Sequence, residues 1–337
     1  MKAVVSGYFG FGNLGDEAIR QVIEVELPKI GIEPVFLAKN KVKENEINRT
    51  NPIKIFKAVQ NSDVTISGGG GLLQDKTSSR SLYYYLSLIY LPKLFGKKSV
   101  VFAQGIGPLK NERNRKLTKE ILNKIDLITV RDLESKKILE EIGVKKEIHV
   151  TQDLAFLYQP KNLKKIEFNE PYNVLQVKGG EPVDIEELSD IARFMHYKTE
   201  NETLIVPFYK DVDLNIAKEI EARTKFKVFI PENIDDVLSI LNGAEIVVGM
   251  RYHSVVFSTM LEKPVLPVYY DDKVRNISKL FELDGIEISE LRLSEFSKVF
   301  LKFIREKDLF ANKIHEKLIK AKNDAKRNFD LLIQFIH

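Results

Sequence analysis

Two kinds of pattern take turns along this chain. Short runs that are apolar throughout and rich in β-branched residues are followed by longer stretches whose apolar positions recur at helical spacing. A strand with no polar residue in its middle is one that helices cover on both faces, as in parallel sheets with crossover helices. The pattern predicts an α/β fold. In the first half, strands are predicted at 2–8, 34–38, 64–67, 99–105, 127–132 and 148–153. A second series is predicted at 173–177, 203–208, 227–230, 245–250 and 265–270, after a polar stretch, QPKNLKKIEFNEP (159–171), that reads as a linker. The expectation is two Rossmann-like domains, over 1–160 and 161–337, facing each other across a cleft. From Asp308 to His337 one long amphipathic helix is predicted, with Leu309, Ile314, Leu318, Ile319, Ala325, Phe329, Leu332 and Ile336 on its packing stripe and lysines on its solvated face.

Composition narrows the class of partner. The chain has 337 residues, enough for two domains, and is 44% hydrophobic and 30% charged, as an ordinary globular protein is. Its 52 basic and 48 acidic residues leave a net charge of +4, too small a surplus to argue for nucleic acid, so none is expected as a partner. With no cysteine there is no thiolate metal site, disulfide or cysteine nucleophile, and the start of the chain reads as no export signal; a cytoplasmic location is expected.

Chemistry-bearing residues collect where predicted strands end. The first strand runs into GYFGFGNLGDEAI (7–19), where Gly10, Gly12 and Gly15 satisfy a G-x-G-x-x-G spacing at a strand-to-helix turn. An NAD site would close the second strand with an acidic residue, but Ala38, Lys39 and Asn40 stand there. Asn13 and Asp16, polar groups inside the turn, are candidates for substrate contact or for helix capping, and a carboxylate at Asp16 could act as a base or bind sugar hydroxyls. Four glycines end the third predicted strand in VTISGGGGLLQD (64–75); Gly69 and Gly70 are candidates for close approach of a ligand or of another backbone, with Gln74 and Asp75 following. Gln104 in AQGIGPL and Arg131 in TVRD stand at further strand ends; Arg131 either faces a ligand or pairs with Asp132 or Glu134.

The sharpest cluster is GMRYHS (249–254), which delivers Arg251 and His253 to a helix start: a planar fork for carboxylate or phosphate beside a proton donor that works near neutral pH. In VYYDDKVRN (268–276), Lys273 is placed either to complete that anion pocket or simply in a charged helix start capped by Asp271 and Asp272. The remaining histidines, His149, His196, His315 and His337, lack such neighbours and read as structural or exposed. The stretch 78–96, with Tyr83, Tyr84, Tyr85 and Tyr90, is too short and polar-tipped to span a bilayer; it reads as a buried helix or one that docks at a lipid interface. No cluster of His, Asp and Glu has metal-ligand spacing, so metal-independent chemistry is expected.

Together, GYFGFGNLGDEAI, SGGGGLLQD, AQGIGP, ITVRD, GMRYH and YYDDKV, in this order between residue 6 and about 275, resemble the polysaccharide pyruvyl transferase family, in particular its CsaB-like bacterial cell-wall branch. The resemblance implies a GT-B-like fold and transfer of a pyruvyl group from phosphoenolpyruvate to a sugar as a ketal, with no further cofactor. In that branch the acceptor is a lipid-linked disaccharide containing N-acetylmannosamine, made on the cytoplasmic side, and the product helps anchor S-layer proteins; peripheral contact with the inner face of the membrane would fit. The first domain is expected to take the acceptor and the second the donor, with His253 as acid by the same resemblance and Asp16, from the chemistry of its carboxylate, as candidate base for the acceptor hydroxyl. Arg251, Lys273 and Arg131 become anion contacts, and Asn13, Gly12, Gly69, Gly70, Gln74, Asp75 and Gln104 line the substrate. Lys178 stands where relatives more often carry arginine. A GT-B glycosyltransferase using a nucleotide sugar shares this architecture and is the alternative; a non-catalytic anion-binding module is a third.

Overall fold

The computed structural model describes residues 1–76, 78–161, 163 and 170–336, so most of the expected linker, together with His337, lies outside the described residues. The chain divides into two compact units, Met1–Tyr158 with Ala321–His337, and Gln159–Lys320.

The first unit is built on a parallel sheet of seven strands. They are β1 (Lys2–Phe9), β2 (Glu33–Ala38), β3 (Glu46–Asn48), β4 (Val64–Gly68), β5 (Lys98–Gln104), β6 (Leu127–Val130) and β7 (Ile148–Val150), in the order β3-β2-β1-β4-β5-β6-β7. Helices α1 (Leu14–Lys29), α2 (Pro52–Gln60), α3 (Ser79–Tyr90), α4 (Glu112–Leu122) and α5 (Leu133–Glu141) connect them, and α3 runs on into a 3-10 turn at Leu91–Phe95. Ala3, Val4, Val5, Val64, Ile66, Val100 and Val101 are buried, which is why these strands read as unbroken apolar runs. Helix starts follow local chemistry: Asn51, Ser78, Asn111 and Asp132 each accept an amide of the first turn. On α3, Leu82, Tyr85, Leu86, Leu88 and Ile89 are buried. The hydroxyls of Tyr83, Tyr84 and Tyr85 donate within the unit, to Asn114 Oδ1, Arg49 O and Gly7 O.

The second unit holds a five-stranded parallel sheet. Its strands are β8 (Tyr172–Val177), β9 (Glu202–Pro207), β10 (Val247–Gly249), β11 (Val265–Tyr269) and β12 (Ile286–Glu287), in the order β12-β11-β10-β8-β9. They are joined by α6 (Ile185–Thr199), α7 (Lys210–Thr224), α8 (Ile234–Gly243), α9 (Tyr252–Met260), α10 (Asp272–Phe281) and α11 (Leu293–Glu306). The strand expected at 227–230 does not form: Val228 makes only an isolated bridge to Ile205, with one hydrogen bond on each side, and Pro231 follows.

Helix α12 (Phe310–Ile336) begins in the second unit and ends in the first. Ile314, Leu318, Ala321, Ala325, Phe329 and Leu332 are buried. Ile319, off that stripe, is 50% exposed, and Leu309, in a 3-10 turn ahead of the helix, is 56% exposed; both depart from the expected stripe. Asn328, fully buried, holds the last turns of the helix to the first unit. Its Oδ1 accepts from the Thr129 and Thr151 hydroxyls at 2.6 and 2.9 Å, and its Nδ2 donates to Gln152 O at 3.1 Å. Asn328→Ala, which strands these groups away from water, is expected to lower unfolding stability by about 2–3 kcal/mol. Urea denaturation checks this, and an unchanged midpoint would show the network to be dispensable.

Candidate functional site

In open parallel sheets, ligands bind beyond the carboxyl ends of the strands where the strand order reverses. In the first unit that point lies between β1 and β4, and in the second between β8 and β10. In the first unit both strands at that point end in glycines, Gly10 and Gly12 after β1 and Gly68 to Gly71 at the end of β4.

At the β1 tip, Gly10 and Gly12 both take φ +77°, open to glycine and strained for other residues. Asn13 occupies the N-cap position of α1 with extended backbone, yet its side chain makes no capping bond, so capping does not explain it. Glu17, which the motif reading passed over, accepts the Gly10 amide at 2.6 Å, and burial pushes its carboxyl above the ordinary value. Asp16 is only 8% exposed and packs against the β4 loop: a Cβ at Gly70 would lie 2.6 Å from Asp16 Oδ1, and one at Gly69 would lie 2.2 Å from Ile19. Gly69 and Gly70 therefore make room for α1 side chains, not for a ligand's backbone approach. Gly71 is exposed, with nothing within 4 Å of its Cβ direction.

Three further sequence candidates turn out to build the loop. Gln104 is fully buried and donates from Nε2 to Gly70 O at 2.8 Å, just past a bulge where Ala103 has φ +48°. Asp75 accepts the amides of Lys110 and Asn111 and the Asn114 side chain. Burial alone would raise its carboxyl, but these three donors outweigh it and hold it below the usual carboxylate range. Arg131 is 4% exposed and bonds to Asp153, itself fully buried, at 2.9 Å. Asp132 instead caps α5 and stays 3.9 Å from Arg131 Nε. Arg131 thus keeps the expected Asp132 as a long ion pair and gains a closer partner, Asp153, from beyond β7. Gln74 is half-buried against Gly107. Arg49, unsuspected from sequence, lies over the Tyr84 ring at 4.4 Å and the Phe11 ring at 5.1 Å, and donates to Tyr85 Oη at 3.2 Å. Burial pushes that phenol up to about 12, with the nearby Asp16 charge adding to it.

In the second unit, Gln176 near the end of β8 accepts the amides of Met250 and Arg251 at 3.1 and 2.7 Å, fixing the tips of β8 and β10 against each other. Gly249 admits the first turn of α9, since a Cβ there would lie 2.3 Å from Ser254 Oγ. Arg251 is the N-cap residue of α9, and its side chain is not an open fork: Nε and Nη2 grip the two oxygens of Asp213 at 2.6 and 2.5 Å. Asp213 is fully buried and also accepts the amides of Gly179 and Tyr209 at 3.0 and 2.9 Å. Its only mark in the sequence is an acidic first turn of α7, which reads as an ordinary dipole partner.

His253, two residues into α9, is half-buried between Tyr252 and Phe257, ring centroids 5.0 and 5.7 Å away. Lys178 follows β8, pairs with Glu181 at 2.6 Å and sits 4.6 Å from the Tyr270 ring centre. Lys273 lies 5.3 Å from that same ring, and its side chain is 37% exposed. Asp271 caps α10 by accepting the Lys273 amide, while Arg275 is tied to Glu287. The structure thus gathers Lys178 and Lys273 on one tyrosine, and Arg251 with His253 at one helix start. Among the described residues no group of three or more His, Asp or Glu is arranged to hold a metal ion, and no helix is long and apolar enough to cross a membrane.

The family model for polysaccharide pyruvyl transferase matches residues 13–272, most of the chain. The chain belongs to the polysaccharide pyruvyl transferase family. It is accordingly a transferase of that family, on an α/β fold of the GT-B kind. A search of curated proteins gives no match. Among solved structures, S. aureus MnaA with UDP is similar at TM-score 0.67 and 13% identity, over 100% of this chain and 97% of the other. UDP-GlcNAc 2-epimerase from Neisseria meningitidis bound to UDP-GlcNAc gives TM-score 0.65 and 15% identity over 99% and 100%. A glycosyltransferase from Rickettsia africae gives 0.64 and 13% over 99% and 98%. At such identities these likenesses speak for the fold alone, and what the pyruvyl transferase does must come from its own residues.

Asp213→Ala would leave the Arg251 guanidinium half-buried without its counter-ion and would orphan two amides. A loss of about 3–5 kcal/mol is expected, read by chemical denaturation with hydrogen exchange to localise it to the second unit. Stability within error of wild type would show that the pair is not what holds the β10 tip.

Proposed function

We propose that this pyruvyl transferase moves the three-carbon unit of phosphoenolpyruvate onto two hydroxyls of a sugar as a ketal, with the donor held by the second unit. The supporting observation is the group of cations at the carboxyl ends of that unit's strands: Lys178 and Lys273 on the two sides of the motif-bearing β10 tip in sequence, both at the Tyr270 ring, and Arg251 at the start of α9. Phosphoenolpyruvate carries a carboxylate and a phosphate, and fixed cations of this kind match both. Asp213 occupies the Nε and Nη2 edge of Arg251, so a donor anion would meet the Nη1 edge of a guanidinium already oriented.

The reaction balances without a redox partner. A proton adds to the methylene carbon, leaving C2 electron-poor; one sugar hydroxyl oxygen bonds to C2 and loses its proton; the C2–O bond to phosphate breaks; and the second hydroxyl closes the ring with loss of its proton. His253 is assigned as the acid, its imidazole able to carry that proton near neutral pH. No cofactor beyond the donor is called for. In the first unit, Asn13 with its uncapped side chain, Gly12, Gln74 and Asp16 are assigned to the acceptor, with Asp16 as base for its hydroxyl. The acceptor assigned is N-acetylmannosamine in a lipid-linked cell-wall precursor, made at the inner face of the membrane. A nucleotide-sugar glycosyltransferase is the competing reading, favoured only by the shared fold.

Thermal unfolding with each donor separates the two. Phosphoenolpyruvate at about a hundred times its Kd should stabilise the protein by roughly 2.7 kcal/mol, while UDP sugars should leave it unmoved; the reverse result would reject the pyruvyl reading. His253→Ala should retain the fold and donor binding but lose ketal formation, followed by mass, by at least about a hundredfold. A fully active variant would remove His253 as the acid.

A further inference from the structure

We propose that the face formed by α2 and the 3-10 turn at Leu91–Phe95 docks on an anionic lipid surface. Large apolar side chains crowd onto this face from two segments remote in sequence. Ile53 and Phe56, one turn apart on α2, are 69% and 46% exposed, and Leu94 is 64% exposed. The two segments touch, because the Phe56 and Phe95 rings meet edge to face at 4.9 Å, so the three exposed residues form one patch. Beneath it Ile55, Val59, Leu88 and Leu91 pack as a core cluster that anchors α2 to the sheet. α2 is therefore a helix with one face inside and one apolar stripe left over.

Charge identifies the occupant. Asn51–Gln60 and Leu91–Lys98 contain Lys54, Lys57, Lys93, Lys97 and Lys98 and no acidic residue, in a chain whose overall balance is nearly even. Lys93 is paired with Asp126 and Lys98 bonds to carbonyls of α12, but Lys54, Lys57 and Lys97 make no ion pair among the described residues. An exposed apolar stripe rimmed by ammonium groups that make no ion pair among the described residues suits the acyl boundary and negative headgroups of a bilayer. None of these side chains is among those assigned to the reaction, so the proposal does not depend on the donor and acceptor assignments.

Co-sedimentation of the full chain with vesicles tests it, using phosphatidylcholine alone and phosphatidylcholine with phosphatidylglycerol. Binding is expected only to the anionic vesicles and should weaken as salt rises. Ile53→Ser with Leu94→Ser should weaken partition by about tenfold or more, and Lys54→Glu with Lys57→Glu should do so by about fivefold or more for each charge. All these side chains are exposed, so thermal unfolding should match wild type. No binding to anionic vesicles, or binding that both variants retain, overturns the proposal. So does a concentration-dependent dimer by analytical ultracentrifugation that the serine variant abolishes, since the patch would then be an interface between copies.

Discussion

A strand covered by helices on both faces can hold no unpaired charge along its length, and this constraint decides where the chemistry of the protein can be. Both sheets obey it: the buried strand interiors are apolar apart from a few uncharged groups such as Ser6, Thr65 and Thr129, and Asp, Glu, Lys and Arg stand only where the strands begin or run out. The two units then use the same device: an arginine within two residues of a strand's end, tied to an aspartate that is itself fully buried, Arg131 with Asp153 and Arg251 with Asp213. Removing two charges from water is costly unless each lone pair and proton is matched. Asp213 meets that demand with four donors, two of them backbone amides, so the ion pair also fixes the loop after β8 and the start of α7.

What separates the two pairs is access. Arg131 is 4% exposed and packed against Gly105, where a Cβ would come within 2.6 Å of its Cζ. The Arg251 side chain keeps 13% exposure at the start of α9. The same sequence signal, arginine at a strand end, thus has two outcomes, and only packing distinguishes them.

Sequence carried the architecture well because two-sided burial writes itself as unbroken apolar runs. It missed β3 and β12, of three and two residues, since runs so short have no period to detect. It promoted 227–230 to a strand because Lys-Val-Phe-Ile has the right composition but gains only one bridge. The site was legible as far as it depends on strand ends: Arg251, His253 and Lys273 fall where strand-end logic puts them. Asp213, Gln176, Glu17 and Arg49 were not legible, because each acts through a contact across the fold and stands in an unremarkable stretch of sequence. The glycine run was rightly read as a place of close approach, but what approaches Gly69 and Gly70 is Ile19 and Asp16.

The locked fork bears on how an anion could be handled at all. A free guanidinium must give up water and rotamer freedom to clamp a ligand, whereas one held by Asp213 has already lost both in folding. The cost has moved from the binding step to the stability of the unit. The counter-ion also lowers the net positive charge that a ligand meets, so Arg251 alone would be a weak electrostatic trap. Charge for a multiply charged anion would then come from groups less fully neutralised, and Lys273, 3.9 Å from its nearest carboxylate, is the least compensated of the cations gathered there. On this argument a bound anion would take direction from Arg251 and field from Lys273, a division of labour that a single unpaired arginine could not provide, because in the same half-buried setting it would lack the partner that holds it in place.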